Sequence, residues 1–433
     1  MVYQNFMNAL NLLGNSADRV SGPCHAAIDE VWQQVLQEKI SINIERGIPS
    51  LTQLALSQPL LDEPLSGEYI DADGTDSRNY GQQQGLPVIR ALFAPFMDVP
   101  ADQIIAHGSS SLALMYDTVS WAMRHGVPGG HRPWCNVKDA TFICIVPGYD
   151  RHFAICEEFG LRMMAVPMLE DGPDMVAVEN ICRHYPNVKG IWCVPKYSNP
   201  TGTVYSDRVI DALASMTTAA TDFRIFWDNA YCVHPLAEND RTIASIYDAC
   251  VRHGNPDRVL VYASTSKMTL PGAGVAFIGA SGTNKTWWLR HAAVRSVGPD
   301  KVNQLRQARF LKSPGNIRAL MEQHRQVLRP RFELVDAIFS AVLGCQQHVS
   351  WSRPEGGYFV SLHVLPGTAS RIVQLAAEAG VRFARPGSCY PYGRDDYDAQ
   401  LRLAPSWPET ETLRLALTVI AICIAKATAE KFL

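Results

Sequence analysis

The chain has 433 residues, of which 47% are apolar and 19% are charged, so we expect two or three folded domains and exclude a disordered chain. Basic and acidic residues number 39 and 42, giving a formal charge of −3. With no long block of like charge, this balance predicts neither a nucleic-acid partner nor a membrane-surface partner held by bulk electrostatics.

Cysteine usage and the first residues predict a cytoplasmic protein. The 11 cysteines are scattered without a CxxC pair, and several, such as Cys144, Cys193 and Cys423, stand in apolar runs where a free thiol behaves as a small hydrophobe. The opening MVYQNFMNALNLLGN has no signal-peptide pattern. The longest near-apolar run, residues 415–425, is too short to span a bilayer.

The apolar positions of residues 21–45 recur every three to four residues and predict an amphipathic helix. A breaker cluster at 45–50 and a turn-rich stretch follow, to about residue 85. From there to about residue 280, helical segments alternate with short continuous apolar runs, which are typical of strands covered on both faces. The predicted strands are Ile104–Ala106, Thr141–Val146, Met163–Val166, Gly190–Val194, Arg224–Asp228, Arg258–Ala263 and Val275–Gly279. This alternation predicts an α/β protein built around a mostly parallel sheet.

The C-terminal part has a different pattern. A long basic helical region, about 284–345, precedes the segment GGYFVSLHV at 356–364, another helix, a strand near 381–384 and a last helix. We interpret this as a smaller α+β domain, completed by the N-terminal helix. The sequence contains no HExxH, GxxxxGK[ST], GxSxG or EF-hand motif. It therefore does not predict a metalloprotease, a P-loop protein, a serine hydrolase or a calcium site.

Four short segments place chemistry-bearing side chains at or after predicted strand ends, where α/β sheets bind ligands. They are Asn199-Pro200-Thr201-Gly202, Asp228-Asn229-Ala230-Tyr231, Ser264-Thr265-Ser266-Lys267 and Arg402-Leu403. Each alone has an ordinary explanation, such as a loop, a helix cap or a solvated lysine. Together, in this order, they resemble the fold-type-I pyridoxal-phosphate (PLP) enzymes of the aspartate aminotransferase superfamily. Further matches are Gly47, Tyr80-Gly81, Gly108-Ser109-Ser110, Pro147-Gly148-Tyr149 and Gly356-Gly357-Tyr358-Phe359.

The resemblance implies a three-layer α/β/α PLP-dependent transferase fold of type I, with a mostly parallel central sheet and a smaller α+β domain. We expect the large PLP-binding domain at residues 61–325. The small domain is expected to combine both chain ends, residues 1–60 and 326–433. The family's architecture also implies a homodimer with shared active sites.

The resemblance assigns roles around the cofactor ring. Lys267 matches the lysine that forms an aldimine with PLP and then acts as a base. Asp228 matches the carboxylate that keeps the pyridine nitrogen protonated, which makes the ring an electron sink. Asn199 and Tyr231 match the donors to the phenolic oxygen, and Tyr149 matches the ring's stacking partner.

The phosphate of the cofactor is expected where a strand turns into a helix, since backbone N–H groups and the helix dipole favour an anion there. Ser109 and Ser110 stand at such a turn, and Ser264 and Ser266 match two further phosphate contacts. Tyr80 matches a tyrosine that reaches the phosphate from the second subunit.

The substrate's α-carboxylate requires a planar, bidentate cation. Arg402 matches that arginine, assisted by Asn199 and by the backbone near Gly47. A dicarboxylic substrate needs a second cation, and the sequence does not single one out. The candidates near site-forming segments are Arg19, Arg46, Arg78, Arg385 and Arg394.

One segment departs from the family pattern. Most relatives carry a phosphate-binding arginine about eight residues after the lysine, whereas this chain has Gly274 there, in a segment one residue shorter. This departure and the sequence around Gly47 resemble a divergent bacterial branch. That branch contains Ic-type aspartate aminotransferases and is distantly similar to the aminotransferase-like half of MocR-type regulators.

The resemblance favours an aminotransferase that passes the amino group of L-aspartate to a 2-oxo acid such as 2-oxoglutarate. Alternatives with the same cofactor are a transaminase of another amino acid, or a β-lyase or decarboxylase, because sequence does not show which bond stands perpendicular to the ring. A remote alternative is a ligand-sensing regulator, although the first 45 residues are too few for a winged helix.

Overall fold

The computed structural model describes residues 22–432 apart from 63–64, 66, 72 and 345, with only the backbone of 22–25. The chain forms two compact units. The larger consists of Thr52–Ser198 and Thr203–Arg325. The smaller consists of the described residues up to 51, Asn199–Gly202 and the residues from 326 onward.

The strands lie close to the positions that the apolar runs predict. In chain order they are β1 (Ile42–Asn43), β2 (Ile104–Ala106), β3 (Thr141–Val146), β4 (Arg162–Leu169), β5 (Gly172–Pro173), β6 (Val188–Cys193), β7 (Arg224–Asp228), β8 (Val259–Ser264), β9 (Ala276–Ala280), β10 (Ser350–Trp351), β11 (Val360–His363), β12 (Val381–Arg382) and β13 (Gln400–Leu403).

The α-helices connect and cover these strands. They are α1 (Gly22–Gln37), α2 (Leu51–Leu56), α3 (Pro59–Asp62), α4 (Pro87–Met97), α5 (Ser111–His125), α6 (Asp150–Glu158), α7 (Met175–His184), α8 (Asp207–Ser215), α9 (Ile246–Arg252), α10 (Gly282–Arg295), α11 (Lys301–Leu311), α12 (Pro314–Leu343), α13 (Ala369–Glu378) and α14 (Thr410–Lys431). Several begin at the residue that the sequence favours as an N-cap. The Asp174 carboxylate, for example, accepts hydrogen bonds from two backbone N–H groups of α7.

The large unit is built on a sheet with the strand order β2-β9-β8-β7-β6-β3-β4-β5. Neighbours from β8 to β4 run parallel, whereas β9 is antiparallel to both β8 and β2. Apolar residues fill both faces: Ile225 and Trp227 of β7 belong to one core and Phe226 to the other. Helices cover each face, because both faces of this sheet are apolar and would otherwise be exposed to water. The predicted three-layer α/β/α fold with a mostly parallel sheet is confirmed.

The small unit combines short strand pairs with packed helices. Strand β11 lies between β10 and β13 and is antiparallel to both. Strand β1 pairs in parallel with β12. The prediction of one helix across residues 21–45 is wrong at its C-terminal end. Helix α1 ends at Gln37, Lys39 takes a left-handed conformation (φ 48°), and the chain then enters β1.

The apolar run 415–425 lies inside α14, which has 22 residues and is long and apolar enough to cross a membrane by length and composition. Most of the helix is nevertheless buried within the protein. It packs against α1 and α13 of the small unit. Burial on nearly all sides explains why it is apolar all round, as expected of a core helix.

Candidate active site

The parallel strands of the large unit bring most of the predicted cofactor residues to one edge of the sheet. Asp228 is the last residue of β7, and Lys267 follows β8 by three residues. Tyr149 follows β3 by three residues. Since β3, β7 and β8 run in the same direction, their carboxyl ends share one edge, and ligands of open α/β sheets bind at that edge.

A tight turn after β8 presents the Lys267 side chain. The backbone N–H groups of Met268 and Thr269 both donate to the carbonyl of Thr265, at 2.9 Å. The Lys267 Nζ lies 5.1 Å from the centre of the Tyr231 ring, so the two predicted catalytic side chains are neighbours. Burial lowers the pKa of the Lys267 amine, and the Asp228 carboxylate opposes that shift. A lowered pKa makes the amine a better nucleophile near neutral pH.

This shift predicts how Lys267 titrates in the cofactor-free protein. Because its pKa is lowered, the neutral amine forms at lower pH than that of a lysine in a short peptide. We expect its rate of reaction with an amine-specific reagent, followed by mass spectrometry, to rise with a midpoint below the peptide's. Asp228→Asn should move the midpoint further down, since the carboxylate raises this pKa. A midpoint equal to the peptide's would contradict the described environment.

Asp228 is a buried carboxylate in which one oxygen has a hydrogen-bond partner and the other has none. Its Oδ2 lies 3.1 Å from Nε2 of His152, and the residue is only 3% exposed. Its Oδ1 is buried without a hydrogen-bond partner. A buried carboxylate oxygen in that state is costly unless a donor meets it. The protonated ring nitrogen of PLP is such a donor, so this site fits the cofactor.

Sequence reasoning missed His152 and Trp192, which complete the surroundings of Asp228. The His152 ring stacks on Trp192 with centroids 4.5 Å apart and an interplanar angle of 12°. It meets the Tyr149 ring edge-on at 4.9 Å. His152 therefore links the predicted stacking tyrosine to the predicted carboxylate. The available signal was its spacing, since His152 follows Tyr149, the N-cap of α6, by three residues.

The predicted phosphate residues come together at the start of α5. Gly108 has a φ of +65°, a conformation that favours glycine, and leads into Ser110, the N-cap of α5. The Ser110 side chain does not cap its own helix. The Ser266 Oγ donates to the backbone carbonyl of Ser109 at 3.2 Å, and Ser264 ends β8 two residues earlier. The turn thus offers N–H groups and hydroxyls at a helix N-terminus.

Gly274 lies directly against this turn. A Cβ atom at this position would lie 2.9 Å from the carbonyl oxygen of Ser109 and 3.3 Å from Oγ of Ser266. The next residue, Val275, donates its N–H to Oγ1 of Thr265 at 2.9 Å. A side chain at this position would therefore require Ser109 or Ser266 to move, which agrees with the glycine that stands where the family resemblance implies an arginine.

Gly274→Ala tests this close approach. The added methyl group should displace Ser109 or Ser266 and weaken cofactor binding by roughly tenfold, the equivalent of about one lost hydrogen bond. Titration of the cofactor-free protein with PLP, followed by fluorescence, measures the change. Gly272→Ala is a matched control, because a Cβ there meets no atom within 4 Å. Equal cofactor affinity in the two variants would show that the contact is unimportant.

A second cluster lies in the small unit and contains the predicted carboxylate-binding residues. Arg402 is 8% exposed, and its Nη1 lies 3.5 Å from Oδ1 of Asn199. Its guanidinium stands over the ring of Phe359, 4.9 Å from the ring centre. Gly47 also lies close to this ring, since a Cβ atom at position 47 would be 2.5 Å from Phe359 Cζ. Phe359 thus lies next to both Gly47 and Arg402, a placement that sequence reasoning did not predict.

Other predicted residues lie apart or outside the description. Tyr80 is 82% exposed on the large unit. Arg78 pairs with Asp76 at 2.7 Å, and Arg19 lies outside the described residues. In the part of the chain that the structure describes, no group of three or more His, Cys, Asp or Glu side chains could hold a metal ion.

Comparisons with known proteins give matches over almost the whole chain. The family model described as aspartate amino-transferase matches residues 17–433. The aspartate aminotransferase of Corynebacterium glutamicum is 42% identical over 426 residues, 98% of each chain. A crystal structure of an aspartate transaminase from the same species superposes with a TM-score of 0.94 at 43% identity, covering 96% of this chain and 98% of that chain.

A more distant structure shares the fold alone. It is an α-aminoadipate aminotransferase of Thermus thermophilus, complexed with N-(5′-phosphopyridoxyl)-L-leucine. It gives a TM-score of 0.72 at 19% identity, covering 92% of this chain and 96% of that chain. The family model and the near relatives extend over almost the whole chain, so this protein belongs to the aspartate aminotransferase family of fold type I and is an aminotransferase.

Proposed function

We propose that this aminotransferase uses PLP to move the amino group of L-aspartate to 2-oxoglutarate. The observation that carries the proposal is the buried Asp228 carboxylate, with its available oxygen and its His152 partner, beside a lysine whose pKa is lowered. The identity of 42% to an aspartate aminotransferase over 98% of both chains supports aspartate as the amino donor.

Each proposed residue has a defined task. PLP, when bound, supplies the electron sink that stabilises negative charge at the substrate's Cα. Lys267 holds the cofactor and removes the proton from Cα. Asp228, oriented by His152, keeps the ring nitrogen protonated. Tyr231 and Asn199 donate to the phenolic oxygen, and Tyr149 stacks on the ring.

The remaining groups bind the two anions. Ser109, Ser110, Ser264 and Ser266 hold the phosphate with hydroxyls and backbone N–H groups. Arg402 binds the α-carboxylate with its planar fork, helped by Asn199 and by the backbone at Gly47. We assign the large unit as the cofactor-binding domain and the small unit as the domain of the carboxylate-binding arginine.

A donor screen tests the reaction type. We expect aspartate, with 2-oxoglutarate as acceptor, to give the highest turnover among the common amino acids. Cysteine-type substrates without any keto acid should release neither ammonia nor pyruvate. Release of both products without an acceptor would instead indicate a β-lyase, and carbon dioxide release would indicate a decarboxylase.

Arg402→Lys tests the carboxylate site. Lysine keeps the charge but loses the bidentate geometry, so kcat/KM should fall by roughly 10- to 100-fold, the equivalent of one charge-assisted hydrogen bond. The KM values for aspartate and for 2-oxoglutarate should rise together, because both carry the α-carboxylate. Arg382→Lys, at the exposed position of β12, is a control. Unchanged KM values for both substrates would place the carboxylate elsewhere.

We also propose a cytoplasmic homodimer in which Tyr80 completes the phosphate site of the partner. Tyr80 and Val297 are 82% and 61% exposed, and both line one surface depression of the large unit. Large exposed side chains in one patch are typical of an interface. Mixing inactive Lys267→Ala protein with Tyr80→Ala protein should restore turnover, since one site of a mixed dimer would be intact. Failure to complement, with hybrids shown by native mass spectrometry, would contradict shared sites.

The described cysteines form no disulfide, which supports a reducing compartment.

A further inference from the structure

Two buried polar side chains outside the predicted site hold the backbone beside Lys267. Gln53 lies in α2 and His324 lies in α12, and they are 0% and 1% exposed. The Gln53 Nε2 is 3.0 Å from Nδ1 of His324. The His324 Nε2 is 3.0 Å from the backbone carbonyl oxygen of Met268, the residue after Lys267.

The partners fix which ring nitrogen of His324 carries the proton. A backbone carbonyl only accepts, so Nε2 must donate to Met268. Nδ1 then accepts from the amide of Gln53, which makes the ring a neutral imidazole with both nitrogens used. Burial lowers the pKa of His324 to about 4, which keeps this form at neutral pH. The polar chain from Gln53 to Met268 is therefore satisfied at each step, as buried networks must be.

The hydrogen bonds from Gln53 to Met268 hold the residue that follows Lys267, and a separate hydrogen bond holds the residue that precedes it. On one side of the lysine, Ser266 bonds to the carbonyl of Ser109. On the other side, the carbonyl of Met268 accepts from His324 and also from Ser57 Oγ, at 3.4 Å. Both residues next to Lys267 in the chain, Ser266 and Met268, are thus restrained by hydrogen bonds. A shift of about 1 Å at a reacting group can cost roughly a hundredfold in rate, so such a restraint has a catalytic consequence.

We propose that Gln53 and His324 are positioning residues for Lys267: they fix the Met268 carbonyl and thereby set the orientation of the lysine amine. The proposal rests on the proposed role of Lys267 as the base. Neither side chain needs to touch the substrate or the cofactor for this role.

Three variants test it in the PLP-loaded enzyme: His324→Leu, Gln53→Leu and His324→Gln. The leucine variants remove the hydrogen bonds at similar volume, whereas glutamine at position 324 keeps a donor for Met268. We expect the leucine variants to lower kcat roughly 10- to 100-fold with KM changed less than about twofold. They should also shift the pH midpoint of the bound cofactor's visible absorbance. His324→Gln should recover most of kcat and the wild-type midpoint.

A merely structural role gives a different result. It would lower the melting temperature but leave kcat and the absorbance midpoint of the folded leucine variants at wild-type values, which would overturn the proposal. If His324→Leu does not fold, the kcat and the absorbance midpoint of Gln53→Leu test the proposal. His184→Leu, on the exposed end of α7, is the control for replacing a histidine. A wild-type enzyme without any amino-group transfer would instead refute the proposed function.

Discussion

Lys267→Ala is expected to reduce aminotransferase turnover by roughly 10⁴-fold or more, because it removes both the covalent attachment and the base. The protein should still fold, since the turn after β8 is held by backbone hydrogen bonds to Thr265 and not by the lysine side chain. Steady-state assays with aspartate and 2-oxoglutarate measure the loss. Borohydride reduction followed by mass spectrometry should show covalently bound cofactor on the wild type and none on the Lys267→Ala protein.

Lys138→Ala is the matched control for this substitution, because Lys138 is exposed on the large unit, outside the proposed site. It should keep both the turnover and the covalent adduct. An adduct of normal yield in Lys267→Ala protein would place the attachment at another lysine and contradict the account.

Asp228→Asn has the second largest expected effect. Removing one partner of a buried charge pair costs about 3 kcal/mol or more, which corresponds to a loss in kcat of roughly a hundredfold or more. The amide keeps the shape and the contact with His152 but no longer stabilises a protonated ring nitrogen. Turnover assays measure the loss. A PLP analogue methylated at that nitrogen carries its charge permanently and should restore part of kcat.

Asp222→Asn is a matched control. Asp222 is also a buried aspartate, but it lies two residues before the first residue of β7, whereas Asp228 is the last residue of that strand. Asp222 pairs with Lys189 at 2.6 Å. Its loss should lower the melting temperature while the folded enzyme keeps its turnover. Equal turnover of wild type and Asp228→Asn, or no rescue by the methylated analogue, would show that Asp228 does not act on the ring nitrogen.

The sequence predicted the large unit well because its strands are buried on both faces. Continuous apolar runs then coincide with strands, and Ile104–Ala106, Thr141–Val146 and Arg224–Asp228 match the structure residue for residue. The end of α1 was harder to predict. The apolar spacing continues to Ile40, but the left-handed Lys39 ends the helix and tertiary pairing with β12 makes the next residues a strand.

The proposed site was predictable where the motif residues are contiguous in the chain, as in Ser264 to Lys267. The groups that support it were not. His152, Phe359 and His324 each lie next to a residue that is more than 50 positions away in the chain: Asp228, Gly47 and Met268 respectively. No local pattern marks such pairs, because tertiary folding brings them together. The glycine at position 274 was visible in the sequence, but its close approach to Ser109 required the structure.

The central claim is that Lys267 and its surroundings pass the amino group of aspartate to bound PLP. The most direct measurement mixes the purified PLP-loaded enzyme with L-aspartate alone, without a keto acid. We expect the visible absorbance of the cofactor to bleach and one equivalent of oxaloacetate per active site to appear, with 2-oxoglutarate then restoring the original spectrum. Unchanged absorbance and no oxaloacetate at saturating aspartate would contradict the account.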